Sequence, residues 1–165
     1  MPEGDTIHRT ANRLRPALVG QELVRFEAPR LLGDRPRPGT RIEAVDAVGK
    51  HLLIDFADGL TLQTHQRMSG SWHLYRTGER WRSPRHLMRV LVAVDGWEAV
   101  DFAAPVVRTY RRVVPGGALG RDLDPVAHLG PDLCVADPDI AGCLARWTAR
   151  VEPGAVVADV LLDQR

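Results

Sequence analysis

The sequence predicts an α+β fold: an N-terminal helix on an antiparallel β-sandwich, followed by the first part of a helical domain. Three observations carry that expectation. Ile7, Ala11, Leu14 and Leu18 recur at helical spacing and give one apolar face. Short apolar runs with tight-turn signals, Asp58-Gly59 and Asp95-Gly96, read as hairpins. After Gly116-Gly117 the pattern changes, and the Asp-Pro steps Asp124-Pro125 and Asp137-Pro138 read as a cap followed by the first helical residue. The sandwich domain is expected over residues 1–117 and the helical domain over 118–165.

Taken in order, Gly4 and Asp5 start a helix of about four turns that Gly20 closes as a C-cap. Leu23–Phe26 reads as a strand. Pro29–Thr40 is rich in Pro, Gly and Arg and reads as a loop. Strands follow at Arg41–Val48, His51–Phe56 and Leu60–Gln66, with Gly49-Lys50 turning between the first two. A second hairpin pairs Leu87–Val94 with Glu98–Phe102. The segment Trp72–His86 between the hairpins reads as a loop. In the last third, Asp137 opens a helix with Ile140, Leu144 and Trp147 on one face. Pro153-Gly154 ends it, and Val156–Leu162 begins another. No internal repeat is visible.

Composition bounds the class. The 165 residues are 44% hydrophobic and 26% charged, normal for a globular chain. No apolar run is long enough for a membrane span, and no apolar signal core opens the chain, so a cytosolic location is expected. Cys134 and Cys143, separated by eight residues, match no zinc pattern and read as reduced thiols; no metal site is expected. The net charge of +1 hides an uneven distribution. Residues 65–90 hold six Arg against one acid, Glu79, with Trp72 and Trp81 among them. Basic side chains with interleaved aromatics suit a phosphate backbone, although a solvated loop would look the same. Of the 22 basic residues, 21 are Arg and one, Lys50, is Lys. Lys supplies a compact ammonium on a flexible stem that Arg cannot replace.

The start of the chain carries a second chemical signal. Removal of Met1 would leave Pro2 with a free secondary amine, whose ordinary pKa of roughly 8 keeps a useful fraction unprotonated near neutrality. Such an amine attacks an aldehyde-level carbon and forms an iminium ion, cationic without an added proton. Glu3 could move protons for that chemistry. Both residues also suit an ordinary helix start, where the free N–H groups favour an anion.

Several motifs together resemble a known family. Met1-Pro2-Glu3-Gly4-Asp5, Val48-Gly49-Lys50, His65-Gln66-Arg67-Met68-Ser69-Gly70, Leu129-Gly130-Pro131-Asp132 and Leu162-Asp163-Gln164-Arg165 occur in an order similar to that of the formamidopyrimidine-DNA glycosylase and endonuclease VIII family, and more like its endonuclease VIII-like branch. The resemblance covers essentially the whole chain. It implies a base-excision-repair DNA glycosylase with AP lyase activity that removes oxidised bases, pyrimidines before purines, acting as a monomer on damaged double-stranded DNA. Pro2 is then the nucleophile at the sugar C1′, and Glu3 the acid that assists ring opening and base release. Lys50 contacts the phosphates around the lesion and belongs with the catalytic set, and His65 is a further phosphate contact. Arg67 and Met68 lie in the DNA-binding loop, with Met68 inserted where the flipped nucleotide leaves a gap.

Three departures bear on that resemblance. Thr6 stands where the family often has a second glutamate, so a relay through it is absent or replaced. The Arg and Phe that some members add to the wedge have no match near Arg108 and Tyr110, which points away from the oxidised-purine branch. The rest of the helix-two-turn-helix domain and the zinc finger of full-length members are not in these 165 residues, so no cofactor is expected and DNA binding should be reduced. Two other classes compete: a non-enzymatic or inactive DNA-binding module, and an N-terminal-proline tautomerase. The tautomerase would need a strand directly after the proline, where a helical pattern stands.

Overall fold

The computed structural model describes residues 3–31, 33–111, 126, 129, 137–151 and 154–156. The chain divides into two compact units, Met1–Asp124 and Pro125–Arg165. The boundary expected at residue 117 and the helix start at Asp124-Pro125 lie outside the described residues, as does the segment from residue 157 onward.

In the first unit, helix α1 (Glu3–Leu18) is followed by eight strands: β1 (Arg25–Glu27), β2 (Ile42–Val48), β3 (His51–Phe56), β4 (Leu60–His65), β5 (Ser71–Arg76), β6 (Met88–Val94), β7 (Trp97–Phe102) and β8 (Val106–Arg111). They form two four-stranded antiparallel sheets, ordered β1-β6-β7-β5 and β2-β3-β4-β8. The sandwich and its helix are thus as the sequence predicts. A helix, not a strand, begins at Glu3, which removes the tautomerase pattern.

The predicted face of α1 is the buried one: Ile7, Ala11, Leu14 and Leu18 share one core with Ile42, Val45, Leu52, Ile54, Leu62, Val90 and Val92 from both sheets. Gly20, at φ +84°, reverses the chain after α1 and donates its N–H to Ile42 O at 2.8 Å. Further back along the helix, Arg15 donates to Val45 O at 3.0 Å and pairs with Asp46. These contacts step along β2 as they step backward along α1. The N-terminal turn of the helix is therefore directed toward the Gly49-Lys50 end of the sheet.

Four expectations are corrected. The strand near Leu23 begins at Arg25, because Leu23 exchanges hydrogen bonds with Gly39 and Thr40 instead of joining the sheet. Residues 72–76 are not loop but part of β5, an edge strand paired to β7 from Ser71↔Phe102 to Arg76↔Trp97. Strand β8 is not among the expected strands, although Val106, Arg108 and Tyr110 alternate with Val107 and Thr109. In the second unit, helix α2 (Ile140–Arg150) is capped by Asp139, whose side chain accepts from Gly142 N at 2.8 Å, not by Asp137. Pro138 precedes the helix, and its carbonyl accepts from Ile140 N at 2.8 Å. Ile140, Leu144 and Trp147 are exposed within the unit described.

The β5 assignment changes the reading of the basic window. Trp72 is a core residue whose indole N–H donates to Thr64 Oγ1 at 3.0 Å, so it offers no face to a nucleic acid. Residues 77–87 then cross the outer face of the sheet. There Trp81 packs on Tyr75 and Phe102, closing a second apolar cluster with Met88, Leu91 and Val100. That cover explains why β6 reads as a near-continuous apolar run: it is buried on both faces.

Candidate active site and nucleic-acid interface

One end of the sandwich gathers the candidate residues. At the β2–β3 turn, Val48 pairs with His51 and leaves Gly49 and Lys50 as a two-residue connection. Gly49 has φ +57°, a conformation that a side chain disfavours, so the sequence Gly-Lys fits the turn and sets the lone lysine at its tip. Lys50 is half-buried.

His51 pairs in register with His65 on β4, and the two imidazoles sit 4.6 Å apart. The same outward face continues through Gln63, whose Nε2 lies 2.8 Å from His51 Nδ1 and whose Oε1 accepts from Arg108 Nε on β8. His51, His65, Gln63 and Arg108 therefore form a run of polar side chains across three adjacent strands, beside the Lys50 turn. Arg108 is a partner of Gln63 here. His51, Gln63 and Arg108 are site residues that the sequence reading misses. The signal that could find them is the alternation of β4, which puts Thr61, Gln63 and His65 on one face and Leu60, Leu62 and Thr64 on the other.

His65 ends β4 and the loop Gln66–Gly70 begins. Arg67, at φ +46°, is exposed, and Met68 is 93% exposed. An unbranched apolar side chain so fully presented to solvent has no packing role in this unit, and its thioether can fill an irregular apolar gap. The loop itself is tied down. Gly70 N donates to Gln66 O at 2.8 Å, and Ser69 Oγ donates to Ala103 O at 3.3 Å. Gly70 is required by close approach: a Cβ there would lie 2.3 Å from Gln66 Oε1 and 2.9 Å from Gln66 Cα.

Beyond this end the six arginines of residues 65–90 do not form one surface. Arg76 stacks over Trp97, 3.7 Å from the ring centroid, at the opposite end of β5. Arg85 donates to Glu27 at 3.1 Å. Arg89 instead lines a cavity of about 450 Å³ with Arg30, Arg108 and the 103–107 connection, at the end that carries Met68. Only part of the expected basic window is thus available near the loop.

Among the described residues, Glu3 opens α1, whose N-terminal turn is directed to this same end. Pro2 lies outside them. Thr6 is exposed on α1, and Asp5, held below its usual pKa by its hydrogen bond and ion pair with Arg9, is likewise exposed. No group of three or more His, Cys, Asp or Glu among the described residues could hold a metal, and Cys143 is a free thiol. No described helix is long and apolar enough to cross a membrane.

Residues 1–109 match the family model for the formamidopyrimidine-DNA glycosylase N-terminal domain, and the chain belongs to that family. It is 38% identical to a probable endonuclease 8 2 of Streptomyces coelicolor, aligning over 100% of this chain and 57% of that protein. It is 32% identical to the DNA-(apurinic or apyrimidinic site) lyase Nei2 of Mycolicibacterium smegmatis, over 100% of this chain and 60% of the relative. The chain thus spans about three fifths of the length of these curated relatives. Among solved structures, the formamidopyrimidine-DNA glycosylase of Lactococcus lactis bound non-covalently to AP-site DNA superposes with a TM-score of 0.54 at 19% identity. That superposition covers 67% of this chain and 45% of the other, and supports the shared fold.

Proposed function

We propose that this chain carries the catalytic domain of a cytosolic base-excision-repair DNA glycosylase with AP lyase activity, acting as a monomer on oxidised bases, pyrimidines first. The observation that carries the reading is the convergence of the Lys50 turn, His65 and the Met68 loop on the sandwich end toward which the Glu3 end of α1 is directed. Lys50 and His65 would grip phosphates on either side of the lesion, with Arg67 beside them. Met68 would fill the gap left when the damaged nucleotide is extruded, at a cost of a few kcal/mol that damage lowers.

The chemistry follows from the residues. The Pro2 nitrogen attacks C1′ as the bond from C1′ to the base breaks and the base leaves with a proton. Glu3, as acid, protonates O4′ while the sugar ring opens, giving an iminium ion between Pro2 and C1′. The iminium withdraws electrons from C2′, a proton leaves there, and the 3′ phosphate departs by elimination. Water then hydrolyses the iminium and frees Pro2.

The test is reductive trapping. With borohydride present, the chain from which Met1 has been removed should form a stable covalent adduct with an abasic or thymine-glycol duplex. Retention of Met1 should abolish it. Trapping by a Met1-retaining form would refute a terminal-amine mechanism.

A further inference from the structure

We propose that Asp101 and Gln66 form a buried clamp between the two sheets that positions the Met68 loop for insertion into DNA. The role of Met68 rests on the function proposed above; the clamp itself does not.

Asp101 lies in β7, fully buried, with its side chain on the inner face that Val90 shares. A carboxyl group inside an apolar sandwich is costly unless it is bonded. Its partner stands just past the end of β4, in the opposite sheet: Gln66 Nε2 donates to Asp101 Oδ2 at 2.6 Å. The same amide approaches Thr64 Oγ1 at 3.3 Å, and Thr64 Oγ1 accepts from Trp72 Nε1 at 3.0 Å. A chain of four buried side chains, Asp101, Gln66, Thr64 and Trp72, thus ties β7 and β5 to the end of β4.

Gln66 is also the first residue of the loop. Its backbone carbonyl accepts from Gly70 N and closes the loop, while its side chain fills the space that a Cβ on Gly70 would need. On the other side of the clamp, Ala103 sits two residues beyond Asp101 with φ +58°, and its carbonyl accepts from Ser69 Oγ. The connection after β7 and the loop after β4 are therefore held together at two points, and Asp101 is the inner one. Met68 projects fully exposed from a base that is locked from inside the core.

The clamp also has a chemical weak point. Gln66 Oε1 and Asp101 Oδ1 are buried without a hydrogen-bond partner among the described residues. Burial lifts the Asp101 carboxyl to about 7, against opposing contributions from the Gln66 hydrogen bond, the Ala104 backbone and the charge of Arg89. Arg89, on β6, is the charged group acting on it; the other side chains named around it, Gln66, Thr64, Trp72 and Val90, do not titrate.

The test uses Asp101→Leu, which removes the bond and keeps side-chain length and branching, Gln66→Met, which removes it and keeps length, and Asp101→Asn, which keeps an acceptor for Gln66. The first readout is amide exchange of the chain without DNA. Exchange at Gly70 should rise at least tenfold in Asp101→Leu and Gln66→Met, with Leu53 and Leu62 in the sheet interior unchanged, and Asp101→Asn should restore protection. Equal acceleration at Gly70 and in the sheet interior would mean a merely structural pair and would overturn the clamp. The second readout is 2-aminopurine fluorescence in a duplex opposite a stable abasic analogue. Loss of the signal in the clamp variants to the level of Met68→Ala, with binding to undamaged duplex within twofold of the parent, supports positioning. A parent that gives no more signal than Met68→Ala counts against the inserted-wedge reading, while the exchange data still decide the clamp.

Discussion

Asp101→Asn should change how the stability of the first unit depends on pH. Burial raises the parent carboxyl from the ordinary value of 3.8 to about 7. Between those values the folded chain holds a proton that the unfolded chain has released, so folding is favoured at the acidic side and stability falls as pH rises toward 7. A tenfold change in proton affinity between the two states corresponds to about 1.4 kcal/mol. From pH 5 to pH 8 the Asp101 contribution should therefore decline by about 3 kcal/mol, since most of the change is complete near 7. Asn cannot ionise, yet its carbonyl oxygen can still accept from Gln66. The assay is urea unfolding of parent and variant at half-unit steps from pH 5 to 8, compared as a difference so that the other titrating groups cancel. The variant should gain relative to the parent as pH rises, with the gain levelling off above 7. Parallel curves would refute the buried, titrating Asp101, and a difference of the opposite sign would mean that its charged form is the stabilising one.

Further expectations concern DNA and the loop. Lys50→Arg should lower single-turnover excision by at least tenfold more than it lowers binding to undamaged duplex, because a planar fork replaces a compact ammonium at a two-residue turn; parent-like excision would make the lone lysine an accident of composition. Binding to duplex should weaken steeply with salt, and Arg67→Ala should reduce the slope by about one while Arg76→Ala, stacked on Trp97 at the far end, leaves it unchanged. Equal effects of the two would place the DNA elsewhere. Gly70→Ala should destabilise the unit by about 1–3 kcal/mol by forcing Gln66 aside, measurable as a shifted urea midpoint.

What the sequence makes legible follows from which forces act locally. The α1 face is readable because one stripe packs against one core, so the period survives in the residues. The hairpins at Asp58-Gly59 and Asp95-Gly96 are readable because turn geometry selects residue type. Strand β5 is hidden because the basic residues flanking it and the loop after it dominate the composition of the window. Its own pattern, Trp72 and Leu74 inward with His73 and Tyr75 outward, is apolar enough on both faces to blur any alternation. Residues 77–87 return over the outer face, so both faces of the strand are covered and neither stays polar. Strand β8 is hidden for a non-local reason, since its partner β4 lies more than forty residues earlier.

The site divides along the same line. Lys50, His65 and Met68 stand at turns and strand ends, where residue choice answers to function more than to packing, so they stand out against the rest of the chain. Gln66 and Asp101 are polar side chains inside a core, and a sequence alone gives no sign of which buried polar groups will meet. Asp101 follows an apolar pair, Ala99-Val100, and precedes Phe102, and read locally it is a misplaced charge. It makes sense only when β4 and β7 are brought face to face across the sandwich and Gln66 reaches it. A buried carboxyl is expensive, and at this position an apolar residue would serve the core better. Its presence at the root of the loop that presents Met68 to solvent is what connects the interior of the fold to the surface proposed to meet DNA.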